Sequence, residues 1–475
     1  MPNSWSTREG LDLLVNLDRA DLRGSLERCL RAAIRSGQLT AGTRLPSSRA
    51  LACDLGVARG TVAAAYTQLG AEGFLTAAHG SGTSVAAFRA APMEETPPSR
   101  DEEARLRWDL RPGNPDLSGF PRAAWLASTR RVLAGTPSEA FGYGDPRGRP
   151  ELRSALADYL GRARGVVVPP TRIVVCAGFA HGLALLARAL RASGHRSIGF
   201  ETLSLPHHRS IAEAAGLEVE PIPVDDKGAR IEEIGSRAVV VTPAHQYPLG
   251  ATLHPERRAA LAAWARRPGR VVLEDDYDGE FRYARQPVGA LQGLAPDAIA
   301  YAGTVSKTLA PGLRIGWLAL PPHLVDPVLD SMGAIQHYPG VIDQLVLADL
   351  ITSGGYDRHI RQARGRYRRR RDLLLAAVHA VAPGLRVAGV AAGLQVVLEL
   401  GEESDAPWEI EQRVVAAASA HGLGLQGLFE CWHDEPHQTG PVRHPPGLVV
   451  GFGTPSESAF RGAVNALADV LAAIA

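Results

Sequence analysis

Lysine is nearly absent. Of the 51 basic side chains in this 475-residue chain, lysine occurs only at Lys227 and Lys307, and all the others are arginine. Arginine stays protonated and forms no Schiff base, so chemistry that demands a primary amine has only two addresses. Cysteine is scarce as well: Cys29, Cys53, Cys176 and Cys431 lie far apart with no C-x-x-C pair. That spacing excludes a disulfide scaffold and a zinc ribbon and fits a reducing, cytoplasmic compartment. The opening MPNSWSTREG lacks a signal-peptide core, and no stretch approaches the ~18 uninterrupted apolar residues of a membrane span, so a soluble protein without a membrane partner is expected. Charge of one sign is missing too. A balance of +1, with 45% apolar and 21% charged residues, describes a globular chain of two or three units rather than a disordered or strongly polyanion-binding one.

The sharpest change of composition is at residues 89–107, RAAPMEETPPSRDEEARLR, where prolines and mixed charges replace apolar periodicity. It reads as a linker between a small unit, residues 18–88, and a large one, 108–475. In the small unit Leu22, Leu26, Leu30, Ala33 and Ile34 recur at helical spacing, and Ser47 or Ser48 can cap a second helix carrying Leu51 and Leu55. After the tight turn Gly56-Val57-Ala58, a third helix from Arg59 to Glu72 buries Val62, Ala65, Tyr66 and Leu69 and leaves Arg59, Gly60, Thr61 and Ala64 exposed. Two short strands, 73–76 and 82–85, flank Ala78-His79-Gly80-Ser81 as a β-ribbon wing. This is helix-turn-helix patterning.

The run LPSSRALACDLGVARGTVAAAYTQLGAEGFLTAAHGSGTSVA resembles the winged helix-turn-helix of GntR-type bacterial transcription regulators along its whole length. The resemblance implies double-stranded promoter DNA as partner. Arg49 would grip backbone or a base edge, Arg59 a guanine in the major groove, and Thr61 a phosphate or base, while His79 and Gly80 would enter the minor groove. Eight arginines against five acids between Asp18 and Phe88 allow one face to meet phosphates without forming a polybasic tract.

Beyond Trp108, β-branched runs (RIVVC at 172–176, RAVVV at 237–241, RVVL at 270–273) alternate with helical stretches such as 182–190 and 259–266, which predicts a parallel sheet flanked by helices. Ligands of such sheets sit at the carboxyl ends of strands. Three segments stand there. VVLEDDYDGEFRY (271–283) ends a buried run in Glu274, Asp275, Asp276 and Asp278, which repel one another unless they face a cation, a protonated ring or water. YAGTVSKTLAPGLRIGW (301–317) sets Lys307 among small hydroxyl residues, with Arg314 seven positions on, and TPAHQYPLG (242–250) bears His245 and Gln246.

Pyridoxal 5′-phosphate accounts for all three. It needs an amine for its aldehyde, a carboxylate at its pyridine nitrogen, a donor at its phenolic oxygen, and hydroxyls, amides and an arginine for its phosphate. Lys307, Asp275, Tyr277 with Gln246, and Thr304, Ser306 and Arg314 fit those roles in order. Lys227, in PVDDKGAR, reads as a solvated turn residue.

These segments resemble fold-type I aminotransferases, and with the N-terminal unit the chain is similar to the MocR/GabR subfamily of GntR-type regulators over residues 18–475. The motifs recur in order: LRPGNPDLSGFP, YGDPRGRPELRSALADYL, TPAHQYPLG, EDDYDGEFRY, GTVSKTLAPGLRIG, HIRQARGRYRRRRD and AAGLQVVLEL. The resemblance implies a multidomain α/β protein, an N-terminal winged helix-turn-helix joined to an aminotransferase-like domain of fold type I, acting as a homodimer. It also implies phosphate-binding amides at Gly178 and Phe179, and contact of Tyr143 with the phosphate of the partner subunit. Departures fall in the effector pocket. Leu205 stands where the family's E-x-P-x-Y-P has its stacking aromatic, His207 where a GABA-responsive member has arginine, and Glu430 in GLFECW where such a member again has arginine. The expected effector is therefore an amino compound other than GABA, or pyridoxal phosphate itself; the rival reading is an active aminotransferase with a DNA-binding appendage. Arg368-Arg369-Arg370-Arg371 reads as an exposed helix face, and His433-Asp434-Glu435-Pro436-His437 as a polar loop, so no metal is assigned.

Overall fold

A computed structural model describes the chain except residues 1–3, 7–11, 15, 16, 19, 79–81, 88–105, 284–287, 334–338, 402–406, 434–444 and 475. It divides into two compact units, residues 1–102 and 103–475.

In the first unit, Asp21 accepts a hydrogen bond from Gly24 N and starts the helix Leu22–Arg35, which buries Leu26, Leu30, Ala33 and Ile34. Ser47 caps the helix Ser48–Leu55 through Ala50 N, and Gly56 ends it in the left-handed region at φ 64°. The helix Arg59–Ala71 follows, with Val62, Ala65, Tyr66 and Leu69 buried. These faces meet in one core with Leu39, Leu45, Phe74 and Val85, each large side chain contributing about 1.5–3 kcal/mol by leaving water. Strands Leu75–Ala78 and Gly82–Val85 pair antiparallel, and an isolated bridge from Arg44 to Ser84 ties the ribbon back to the turn before the second helix. A shorter ribbon, Ser4–Ser6 against Asp12–Leu14, was not anticipated from the sequence.

The second unit is built on a seven-stranded sheet. Its order is Ile173–Cys176, Gly316–Ala319, Ile299–Thr304, Val271–Asp275, Ala238–Val241, Ser197–Glu201, Glu218–Ile222. The expected all-parallel arrangement is corrected at one strand: Gly316–Ala319 runs antiparallel to both neighbours. The cause is a short return loop of residues 305–315, which reverses the chain directly after Ile299–Thr304 without a crossover helix. The helices Phe179–Ala192, Pro322–Ser331 and Pro206–Ala214 bury one face of the sheet. Pro150–Arg164 and Val341–Thr352 pack on the other. A four-stranded antiparallel sheet (Arg386–Ala388, Gln395–Glu399, Gly447–Gly451, Gln426–Gly427) packs against the helices Gly355–Val381 and Glu457–Ile474 in a second core.

The arginine run on the long helix needs revision. Arg368 and Arg369 are exposed, as read from the sequence, but Arg370 is buried and forms an ion pair with buried Asp116 at 2.8 Å. It also donates to the carbonyls of Phe452, Gly453 and Pro455. A 100° turn per residue points successive side chains in different directions, so an unbroken charge run need not share one environment.

Candidate functional site

Strand ends of the seven-stranded sheet open into a cleft of about 280 Å³ lined by Gly178, Phe179, Asp275, Tyr277, Lys307 and Arg314, among others. The four acids after Val271–Leu273 part company here. Glu274 accepts from Leu291 N and Gln292 N, both at 2.8 Å, and Asp276 accepts a two-pronged ion pair from buried Arg164 and a bond from Tyr301 Oη. Asp278 lies 2.9 Å from His245 Nδ1. Only Asp275 of the four lines the cleft, and its Oδ1 is buried without a hydrogen-bond partner. Burial first, then the charges of Asp276 and Asp278, push this carboxyl well above the usual range, opposed by the Lys307 ammonium. A buried carboxylate oxygen left unsatisfied is costly, so the position suits a cationic N–H supplied from outside the chain.

Lys307 follows the strand Ile299–Thr304, and its Nζ donates to Gly113 O. Burial lowers its pKa, with Asp278 and Asp275 working in the opposite direction. Gly178, at φ 90°, is the N-cap of the helix Phe179–Ala192 and directs that helix's free amides at the cleft. A side chain there would be strained and would approach the Arg314 guanidinium. Arg314 itself is a non-glycine residue at positive φ (52°), and the neighbouring Thr304 Oγ1 donates to Ile315 O. Thr304 Oγ1 lies 2.8 Å from Ser306 Oγ, so two hydroxyls, one guanidinium and the helix amides gather at one end of the cleft.

Other expected residues fall elsewhere. Gln246 is buried but does not line the cleft: its amide donates to Leu203 O at 2.8 Å and Tyr247 O at 2.6 Å, tying its turn to the loop after Ser197–Glu201. Tyr277 Oη instead meets Gln395 Nε2 and His245 Nδ1, both at 2.9 Å. Leu205 lines the cleft, whereas His207 is exposed on the first turn of the helix Pro206–Ala214 and His208, one residue on, points inward. The ring of His208 lies 4.7 Å from that of Phe179, and burial drops its pKa to about 3, leaving it neutral. Glu430 is exposed and accepts from Gly427 N, while Gln426 occupies the cleft wall. Tyr143 is fully exposed and lines no part of this chain's cleft.

Glu201, Gln395 and Gln426 line the cleft without having been assigned to it from the sequence, and His208, which with His207 could line the cofactor mouth or sit in a loop, does line it. Gln395 had a signal in its place inside the motif AAGLQVVLEL, and Glu201 in standing at the glutamate of E-x-P-x-Y-P. Lys227 is exposed in a turn where its N–H donates to Asp225. Arg49 and Arg59 are exposed and Thr61 half-buried on their helices, whereas His79 and Gly80 lie outside the described residues. Among the described residues no three His, Cys, Asp or Glu side chains gather as a metal site, and residues 434–437 of the histidine-bearing loop are not described.

Residues 109–421 match the family described as aminotransferase class I and II, and residues 22–85 match bacterial regulatory proteins of the gntR family. A pyridoxine biosynthesis transcriptional regulator, PdxR, of Corynebacterium glutamicum is 33% identical over 93% of this chain and 94% of its own length. The chain belongs to the MocR/GabR subfamily of GntR-type transcription regulators. Consistent with that, a probable rhizopine catabolism regulatory protein, MocR, of Rhizobium meliloti is 32% identical to this regulator, covering 94% of it and 92% of the relative. Among solved structures, an archaeal alanine:glyoxylate aminotransferase superposes with a TM-score of 0.66 at 26% identity, covering 77% of the regulator and 90% of that chain. A multiple-substrate aminotransferase of Thermococcus profundus has the same TM-score at 25% identity, covering 78% and 93%. The regulator thus joins a gntR-type winged helix to an aminotransferase fold whose members bind pyridoxal phosphate.

Proposed function

We propose that this regulator holds pyridoxal 5′-phosphate in the cleft and that occupancy by this cofactor is the signal it transmits to promoter DNA. The observation that carries the reading is Asp275 Oδ1, buried and unpartnered in the same cleft as the Lys307 amine. Asp275 accepts from the pyridine N–H, and Tyr277 donates to the phenolic oxygen. The amides at Gly178 and Phe179, with Thr304, Ser306 and Arg314, hold the phosphate. When bound, the cofactor supplies an electrophilic aldehyde for the Lys307 amine, and the lowered pKa of Lys307 keeps more of that amine unprotonated.

An amino-acid effector finds no carboxylate clamp. Lys307 and Arg314 are the cations lining the cleft and both are engaged by the cofactor; Ser204, Gln395 and Gln426 are neutral. Arg209 is turned onto the carbonyls of Ser204, Cys431 and Trp432. Burying a carboxylate against these groups carries a desolvation cost without a paired charge. The effector is therefore pyridoxal phosphate itself, in keeping with a relative named for pyridoxine biosynthesis. An amino compound without a carboxylate is the remaining option.

In the DNA-binding unit, residues 18–88, Arg49, Arg59 and Thr61 contact the duplex and His79 with Gly80 enters the minor groove. Residues 89–107 link it to the effector domain, 108–475. The protein works in the cytoplasm as a homodimer that sets two winged helices on paired half-sites. Exposed Leu126, Leu133, Phe141 and Tyr143 supply apolar surface for the second copy. A residual aminotransferase activity is the second reading, favoured by retention of Lys307, Asp275, Tyr277 and Arg314 in one cleft.

The test is a footprint of the protein on its own upstream DNA with and without pyridoxal phosphate, repeated with Lys307→Ala. Wild type should show a cofactor-dependent footprint and a visible absorbance band, and the variant neither the band nor the dependence. A band that survives unchanged in Lys307→Ala refutes the cofactor assignment. Steady conversion of an amino/keto acid pair would favour the aminotransferase reading.

A further inference from the structure

The oxygen of Tyr277 sits between two partners, and the hydrogen atoms among them can be counted. Gln395 Nε2 donates to Tyr277 Oη at 2.9 Å. His245 Nδ1 lies 2.9 Å from Tyr277 Oη and also 2.9 Å from Asp278 Oδ2. An ionised carboxylate only accepts, so the contact with Asp278 requires the hydrogen of His245 to be on Nδ1. That nitrogen then has no lone pair for the tyrosine proton. Gln395 offers only a donor on its side. The Tyr277 hydroxyl accepts from Gln395, can at most share the one Nδ1–H that His245 gives to Asp278, and can give its own proton to neither neighbour.

The imidazole has no freedom to escape this arrangement. His245 and Asp278 are 4% and 2% exposed. A Cβ on Gly393 would fall 2.2 Å from His245 Cε1 and 2.6 Å from Asp278 Oδ2, and one on Gly250 would fall 3.1 Å from His245 Nε2. Backbone therefore closes on the ring from two sides, at positions where only glycine fits. Burial, reinforced by the Asp278 charge, holds the Tyr277 phenol well above its ordinary pKa, so its proton stays in place.

We infer that His245, locked by Asp278, and Gln395 are positioning residues that turn the Tyr277 hydroxyl proton into the cleft, making Tyr277 a one-way donor to the phenolic oxygen of pyridoxal phosphate. This rests on the cofactor reading above. It replaces the expected partner Gln246 with residues from the first sheet's loop and from the second sheet. Because Gln395 lies on the strand Gln395–Glu399, the cofactor's phenolic oxygen is read by both halves of the domain through one hydroxyl.

The experiment measures pyridoxal phosphate affinity and the balance of visible and near-ultraviolet absorbance in full-length wild type, Tyr277→Phe, His245→Ala, His245→Asn and Gln395→Glu. In His245→Ala binding should weaken about tenfold or more and the band balance should move toward that of Tyr277→Phe. His245→Asn, whose amide N–H can replace Nδ1–H toward Asp278, should return both close to wild type. Gln395→Glu supplies an acceptor that draws the tyrosine proton away, so it should reproduce the loss by an independent route even if His245→Ala fails to fold. The inference falls if Tyr277→Phe changes the spectrum while Gln395→Glu leaves it and the affinity unchanged, or if His245→Asn is as impaired as a folded His245→Ala. Absence of any cofactor band in wild type would instead remove the cofactor reading, and this inference with it.

Discussion

Replacing Asp275 by Asn should separate cofactor binding from folding in opposite directions. The carboxylate is enclosed and its Oδ1 has no hydrogen-bond partner among the described residues. In the cofactor-free protein the charge is thus a liability, and a neutral amide of the same shape should leave the apo form as stable as wild type or more so. With pyridoxal phosphate the balance reverses, because a hydrogen bond to a charged group contributes about 1.5–3 kcal/mol. That corresponds to a dissociation constant roughly 10- to 150-fold weaker. At a free ligand concentration of about 100 times the wild-type constant, wild type gains about 2.7 kcal/mol; a 30-fold weaker variant gains only about 0.9. Unfolding entropy of about 2.1 cal/mol/K per residue over residues 103–475 translates 1 kcal/mol into about 1.3 °C. Cofactor should therefore raise the melting temperature by about 3–4 °C in wild type and about 1 °C in Asp275→Asn, measured by calorimetry on the full chain. An unchanged cofactor shift in the variant would refute the assignment of Asp275 to the pyridine nitrogen.

Three further outcomes are expected. Arg59→Ala should weaken binding to the promoter by about 1–3 kcal/mol while leaving the visible cofactor band intact, so an unaltered footprint would sink the recognition-helix assignment. Arg370→Met strands the buried Asp116 carboxylate and should cost about 3–5 kcal/mol, read as a lower urea midpoint at unchanged slope. Burial raises Glu201 from 4.5 to about 7; a native pKa above the unfolded one means stability is greatest below about pH 4.5 for this group and is lost as pH rises toward 7. For Glu201 alone that is about 3 kcal/mol, so Glu201→Gln should flatten the apo protein's stability profile between pH 5 and 7.5; an unchanged slope would contradict the burial argument.

The sequence reading reached as far as local rules reach. Capping by Ser47, the left-handed stop at Gly56 and the buried stripe of the helix Arg59–Ala71 involve residues within a turn or two of each other. The strands at 173–176, 238–241 and 271–275 declared themselves because strands buried on both faces need unbroken β-branched runs. What failed was direction. His207 and His208 are adjacent, and without the phase of their helix the sequence does not separate the exposed His207, placed in the effector pocket by resemblance, from His208, which lines the cleft. Gln246 follows a strand, but the carbonyls of Tyr247 in its own turn and of Leu203 in the loop after Ser197–Glu201 claim its amide first.

Scarcity of lysine by itself limited the possible addresses of a Schiff base to Lys227 and Lys307, since only an amine does that chemistry; the motif around Lys307 and the turn signature around Lys227 separated the two. The motif order likewise determined the family and the two-part architecture. Which of four consecutive-looking acids remains free was decided only by tertiary structure: Arg164, the amides at Leu291 and Gln292, and His245 come from distant parts of the chain to satisfy Asp276, Glu274 and Asp278. A hydrogen bond is a relation between two groups in space, and a carboxylate's role is set by which partners reach it. Among the described residues no donor reaches the buried Oδ1 of Asp275, the one carboxylate of the four that lines the cleft.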